Sequence, residues 1–300
     1  MTFLCELLGK SKQAYYKTDA DRPLKQEIQS QSVLDFARSV RKKDPRIGSI
    51  KLWNMFNRDV ESEFRLGRDK FIRILAENNV TLRKRSRKPR TTDSRHNYPL
   101  YPNLVRELIP VQPNEVWYSD ITYVPTGLPK ESQKWFYLSL ITDGYSHEII
   151  GWDLSRSLEH TSPLRALNMA LKRLPQGHRL IHHSDRGVQY ASFIYTNRLK
   201  ANDVSISMTE NGDPKENAVA ERANGIIKNE ILGGQAVGDY PEALKKIKEA
   251  IDFYNDERPH MSCGMLTPTE ASRKTGKLTK QWRSLREKYL EADNIGEVAG

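Results

Sequence analysis

The run Val116-Trp-Tyr-Ser-Asp120-Ile-Thr-Tyr-Val124 sets an aspartate in the middle of β-branched and aromatic residues. That composition reads as a strand, and a carboxylate inside such a strand is costly to bury unless something neutralises it. A second run, Ile181-His-His-Ser-Asp185-Arg-Gly187-Val-Gln-Tyr190, is a short apolar approach ending in an aspartate and a glycine. It reads as a buried strand that delivers a carboxylate at its C-terminal end. A third acid lies in Asp213-Pro-Lys-Glu-Asn-Ala-Val-Ala-Glu221-Arg-Ala-Asn-Gly-Ile-Ile-Lys228-Asn-Glu230, which reads as one helix. Asp213 suits the N-cap, Pro214 the first helical position, and Glu216 the acidic place of a capping box. At helical spacing Asn217, Glu221, Asn224 and Lys228 share a stripe, with Val219, Ala223 and Ile226 opposite. A row of one carboxylate, two amides and an ammonium is either a solvated face or half of a site.

Three carboxylates on two strands and a helix can offset their burial jointly by holding divalent cations, which prefer hard oxygen ligands. Asp120, Asp185 and Glu221 are therefore read as one metal-binding, catalytic triad. Mg2+ is the expected ion, with Mn2+ as the alternative, because Mg2+ keeps waters and takes only a few carboxylates plus substrate phosphate. Two such ions can activate a nucleophilic oxygen and stabilise a leaving oxygen in in-line phosphoryl displacement. Water or a hydroxyl group can serve as that nucleophile.

Between Asp185 and Glu221 stand 35 residues. Asp, Asp, 35 residues, then Glu resembles the catalytic signature of retroviral integrases and insertion-sequence transposases. Within that group, Trp117-Tyr-Ser-Asp120-Ile-Thr-Tyr-Val, His182-His-Ser-Asp185-Arg-Gly-Val-Gln-Tyr190, Glu216-Asn-Ala-Val-Ala-Glu221 and Tyr254-Asn-Asp-Glu-Arg-Pro-His260 resemble the second-frame (OrfB-type) transposases of insertion-sequence family three. The resemblance runs over nearly the whole chain. It implies a ribonuclease H-like integrase core, double-stranded DNA (element ends and target) as partner, and a homo-oligomer on DNA. It further implies an upstream-frame partner or frameshifted fusion, and a contact of Lys228 with terminal DNA. One departure stands out: where the family often follows the last acid with two aromatics, this chain has Arg222-Ala223.

The expected architecture is α/β. A ribonuclease H-like core over 114–274 is preceded by a small all-α, helix-turn-helix-like DNA-binding region over 1–82. A basic flexible linker over 83–113 joins them, and a charged tail follows over 275–300. In the core, strand patterns at 116–124, 135–142 and 147–154 form a meander. A helix at 160–174, a strand at 179–184, a helix at 192–201 and a strand at 204–208 follow. An amphipathic helix at 240–256 turns Leu244, Ile247, Ile251 and Tyr254 inward. In the N-terminal third, a Gly-Lys-Ser turn within residues 3–17 resembles the end of a helix-turn-helix. Three apolar stripes follow there: Ile28, Val33, Leu34, Ala37 and Val40; Ile50, Leu52, Trp53 and Phe56; Phe71, Ile72, Leu75 and Ala76.

The net charge of +10 is unevenly placed: residues 1–113 hold 24 Lys/Arg against 13 Asp/Glu, and the remainder holds 24 against 25. A basic first third before a neutral core points to a polyanion gripped mainly by that third. Within 83–95, Arg83, Lys84, Arg85, Arg87, Lys88 and Arg90 can neutralise phosphates without reading bases. Cys5 and Cys263 are too few and too far apart for a zinc module or an expected disulfide. No apolar run reaches the ~18 residues of a membrane span, and the N-terminus lacks a secretory pattern, so a cytoplasmic, nucleoid-associated protein is expected.

His182 and His183 neighbour Asp185, but strand histidines more often pack or hydrogen-bond, so His183 is given a supporting place and no metal. Asn217, one turn before Glu221, is expected to orient its carboxylate, and Gly187 to let the chain turn sharply after the metal-bearing strand. Tyr254, Asn255, Arg258 and His260 are expected to brace the core. The functional reading is a transposase that cleaves and joins DNA. The alternative is a catalytically inactive DNA-binding regulator or remnant, which the intact triad disfavours; an ordinary ribonuclease H-like nuclease is disfavoured by the basic N-terminal third.

Overall fold

The computed structural model describes residues 22–82, 98–129, 133–210 and 214–281. The pattern at 3–17, the basic residues Arg83, Lys84, Arg85, Arg87, Lys88 and Arg90, and the cap residue Asp213 lie outside the described residues. The chain divides into two units, one holding residues 22–42 and 48–82, the other residues 43–47 and everything described from 98 onward.

The first unit is helical. Its helices are α1 (Arg22–Lys43), α2 (Ser49–Asp59) and α3 (Arg68–Glu77). α1 buries Val33, Leu34, Ala37 and Val40, while Leu52, Met55 and Phe56 of α2 meet Phe71, Ile74 and Leu75 of α3. The last two sets are i, i+3, i+4 triplets, one face of each helix. The Phe56 ring lies 5.3 Å from Phe36 and 5.5 Å from Phe71. The buried faces are narrower than the sequence stripes. Ile28 and Ile50, near their helix starts, and Ala76 near its helix end are exposed, whereas Met55 and Ile74 are buried. Asn57 pins the α2–α3 loop by donating to Leu66 O and accepting from Leu66 N.

The second unit is built on one five-stranded sheet of order β3-β2-β1-β4-β5. Its strands are β1 (Val116–Pro125), β2 (Trp135–Asp143), β3 (Ile149–Ser155), β4 (Ile181–Ser184) and β5 (Ser205–Met208). β1 to β3 form an antiparallel meander, and β4 and β5 add in parallel on the other side of β1. β1 is thus a central strand, which suits its β-branched and aromatic content. On one face α4 (Thr161–Leu171) packs over β2 and β3. There Trp117, Ile141, Ile150, Ala166, Leu167, Tyr190, Tyr195 and Leu199 share one core, to which α5 (Val188–Ala191) and α6 (Phe193–Lys200) contribute. On the other face α7 (Ala218–Gly225) brings Ala220 against Val116 and Tyr118.

α8 (Tyr240–Asp256) buries Ala243, Ile247, Ile251 and Tyr254 but leaves Leu244 exposed, because Ala243 takes the inward place of its first turns. Asn255 accepts from Ile149 N and donates to Ile149 O, closing the start of β3 like one more strand rung. Tyr254 donates its hydroxyl to His147 O at 3.0 Å. α9 (Pro268–Ala271) starts from a full capping box of Thr267 and Glu270. Residues 98–113 run against the sheet edge: Leu104 N donates to Ser207 Oγ, Arg106 pairs with Glu210, and Val105 is buried. Among the described residues no helix is long and apolar enough to cross a membrane.

α4 approaches the sheet closely at Gly151. A Cβ there would clash with Ala166 O and sit 3.0 Å from Ala170 Cβ, so α4 lies on β3 only because the side chain is missing. Gly151→Ala should therefore destabilise the core by about 1–3 kcal/mol, the usual cost of overpacking, read as a lower urea midpoint at unchanged slope. A variant as stable as the parent would contradict this packing.

Candidate active site

The strand register sets the positions of the two aspartates. Tyr118 of β1 pairs with His183 of β4 in parallel, and Asp120 and Asp185 each stand two residues further on. Two carboxylates thus emerge at equivalent points of neighbouring strands, Asp120 within β1 and Asp185 just past the end of β4. One side chain feels both. Tyr190 is buried, and its phenol is pushed well above its ordinary range, first by burial and Tyr195 and then by the charges of Asp120 and Asp185.

α7 brings the third acid. Asn217 donates Nδ2 to Ser119 O at 2.9 Å, and Asn224 donates Nδ2 to Asp120 Oδ2 at 2.7 Å. These amides lie four before and three after Glu221, so they tie the helix that carries Glu221 to β1. Asn217 therefore acts on the strand backbone, anchoring the helix, where the sequence suggested that it orients Glu221. Asn224 is a positioning residue that sequence reasoning left out of the site, although its place on the same stripe was the available signal. Asp120 Oδ1 also accepts from Ile121 N at 2.8 Å.

The segment around Glu221 is not the single regular helix read from its sequence. A 3-10 turn spans Pro214–Asn217, α7 follows, and a π-helical turn spans Ile226–Ile231. The wide turn lets Ile226, Ile227 and Ile231 all enter the core. Lys228 Nζ lies 6.0 Å above the Trp135 ring. Glu216 accepts from Glu210 N at 2.6 Å, so its carboxylate reaches back beyond the 3-10 turn to the strand end. Arg222 pairs across the π turn with Glu230 at 2.8 Å, while Ala223 is buried. Glu230 pairs in turn with Arg258, which also meets Asp44; Arg258 and Asp44 are fully buried.

The histidines serve the sheet. His182 Nε2 contacts Ser119 Oγ at 2.7 Å and Tyr195 OH at 2.9 Å, and burial drives its pKa down to about 3, which keeps the ring neutral. His183 Nδ1 contacts Ser207 Oγ at 2.8 Å. Gly187 is needed for room, not for a left-handed turn. Its φ is −65°, its N donates to Asp185 Oδ1 at 2.9 Å, and a Cβ would meet that same oxygen at 2.9 Å. Among the described residues the group that brings metal-ligating atoms within 4.8 Å of one another is not the three acids but His147, His260 and Cys263. There the two rings stack at 4.5 Å, burial lowers His147 to about 4 and raises the Cys263 thiol to about 12, and Cys263 Sγ donates to Ser146 O. That cluster reads as packing between the β2–β3 turn and the segment after α8.

Asp120, Asp185 and Glu221 offer hard oxygens only. A donor set of carboxylates suits Mg2+ or Mn2+ and not the thiophilic ions, so the residues present fit the ions expected from the sequence.

Residues 110–214 match the family described as "Integrase core domain", and residues 202–268 match a second family with the same description. The chain is 32% identical over 278 residues to the "Insertion element IS600 uncharacterized 31 kDa protein" of Shigella sonnei, covering 88% of this chain and 96% of that one. It is 33% identical over 227 residues to the "Transposase for insertion sequence element IS629" of Shigella sonnei, covering 75% and 73%. It is also 32% identical over 186 residues to "Transposase InsF for insertion sequence IS3A" of Escherichia coli (strain K12), covering 60% and 61%. A solved HTLV-2 integrase catalytic core domain in complex with magnesium (trimeric form) is 20% identical, with a TM-score of 0.43 over 55% of this chain and 99% of that one. With an integrase core on this sheet and insertion-sequence relatives along most of its length, the chain belongs to the insertion-sequence transposases of family three.

Proposed function

We propose that this transposase cleaves DNA at element ends and joins the freed 3′-hydroxyl to target DNA, using Asp120, Asp185 and Glu221 as ligands for two Mg2+ ions. The observation that carries this reading is that two acids stand at matching positions of paired strands, while the third lies on a helix tied to the first of those strands by Asn217 and Asn224. Bound there, Mg2+ would supply charge for activating the attacking oxygen and stabilising the leaving one. The chain's part is to hold its acids in place. Asn224 and the Ile121 N–H hold the Asp120 carboxylate, and the Gly187 N–H holds Asp185. No protein nucleophile is needed. Double-stranded DNA is the substrate, the basic residues between Arg83 and Arg90 grip its phosphates, and the chain acts as a homo-oligomer on DNA with an upstream-frame partner or fusion.

Changing Asp120, Asp185 or Glu221 to its amide keeps shape and removes charge. Losing residues that merely support a ligand costs roughly 10–100-fold in metal affinity or activity, so each amide variant should lose more than about a hundredfold in Mg2+-dependent strand cleavage while keeping its melting temperature. Near-normal cleavage by one of them would remove that residue from the triad.

Replacing Arg83, Lys84, Arg85, Arg87, Lys88 and Arg90 with Ala should weaken binding to element-end and scrambled duplexes alike. The slope of log affinity against log salt should flatten by about 0.9 for each phosphate that is no longer neutralised. An unchanged slope would contradict the electrostatic role.

Lys228 separates end recognition from general nuclease chemistry. Lys228→Ala should reduce cleavage of element ends more than nicking of scrambled duplex, and Lys228→Arg should restore part of the difference. Equal loss on both duplexes would make its role general attraction only.

A further inference from the structure

An aromatic ladder stands further along the strand that carries Asp120, on the opposite face of the sheet from that aspartate. Tyr123 of β1 pairs directly with Tyr137 of β2, and Pro125 with Trp135, so the three aromatic side chains stand on one face of the antiparallel pair. Tyr123 contacts Tyr137 at 5.2 Å and Trp135 at 6.3 Å between ring centroids, both near edge-to-face. The ladder is not sealed into the core: Tyr123 is 43% exposed, and Trp135 and Tyr137 are partly exposed. Two ammonium groups attend it. Lys134 Nζ lies 5.7 Å from the centre of the Trp135 ring and Lys228 Nζ lies 6.0 Å from it. Lys228 comes from the π turn that directly follows the helix of Glu221.

An exposed aromatic row on a soluble surface is unusual enough to need a partner. Aromatic faces flanked by lysines fit unpaired nucleotides: bases stack on rings without regard to sequence, and ammonium groups take the phosphates. A duplex keeps its bases stacked inside and cannot use such a row; only strands opened at an end can. We propose that Tyr123, Trp135 and Tyr137, with Lys134 and Lys228, form a stacking platform for unpaired nucleotides of an opened DNA end. This rests on the reading of the chain as a DNA-processing enzyme and adds the form of DNA that the site prefers.

The test uses the full chain in EDTA, so that binding is measured without cleavage. The probes are a fluorescein-labelled blunt duplex and the same duplex with three unpaired 3′ nucleotides, followed by anisotropy and by tryptophan quenching. The tailed duplex should bind about tenfold more tightly, the scale of one stacked base, and should quench tryptophan. Tyr123→Ala and Trp135→Ala should each erase most of that gain, whereas Trp135→Phe should keep the affinity gain and lose part of the quench. Because Tyr123 is the most exposed of the three, its variant should fold even if Trp135→Ala does not. Equal affinity for the two probes overturns the platform while leaving the transposase reading in place; binding to neither probe overturns both. A Tyr123→Ala variant that changes only the oligomeric state would make the ladder a protein contact and overturn the proposal.

Discussion

The pairing of β1 with β4 is the constraint on which the site depends. A parallel neighbour fixes register through its hydrogen bonds, and a slip of one residue would send every side chain to the opposite face. With Tyr118 opposite His183, two acids reach the same level of the sheet from strands that are 65 residues apart in the chain. Like charges brought together this way repel, and the protein counters that with donors: the Ile121 and Gly187 N–H groups and the Asn224 amide all point at carboxylate oxygens. Asn217 then ties the helix of Glu221 to the backbone of Ser119, the residue next to Asp120. The sheet and the helix are thereby fixed to each other at the site itself.

Behind that helix stands a second constraint, in the opposite electrostatic regime. Arg258 is wholly buried and answered by Asp44 and Glu230. Burial raises the pKa of Asp44 while Arg258 lowers it, so the pair is held by geometry and not by a large electrostatic surplus. Removing one partner from such a pair typically costs about 3–5 kcal/mol, because the other charge is left buried. Glu230 also receives Arg222, the residue after Glu221. The π turn is thus tied by three isoleucines in the core and by an ion network centred on the buried Arg258. A wide turn of this kind is a common device at functional sites, and here it carries Lys228.

Much of the core was legible from residue patterns. The strand of Asp120 is marked by a β-branched and aromatic run, the mark that burial on both faces of a central strand leaves, and the strand of Asp185 by its short approach to an aspartate and a glycine. The 240–256 helix is legible because Asp239 and Pro241 give it a clear start, with the Asp239 side chain accepting from Glu242 N. What was not legible depended on tertiary choice. Leu244 and Ala243 are one residue apart, and only the neighbour decides which turns inward. The π turn follows from burying Ile226, Ile227 and Ile231 together, which no α-helical period predicts. Gly187 looked like a conformational glycine, yet its φ is ordinary and its constraint is the Asp185 oxygen beside it. Asn224 shared the stripe of Glu221, but a sequence stripe does not reveal that its amide meets Asp120.

The central claim is that three carboxylates converge to hold two divalent ions. Crystals of the full chain bound to a DNA end, soaked in Mn2+ and measured at the manganese absorption edge, test it directly. The account predicts two anomalous peaks, each within coordinating distance of at least one of Asp120, Asp185 and Glu221. Peaks confined to the His147, His260 and Cys263 cluster, or no peak near the three acids, would contradict it.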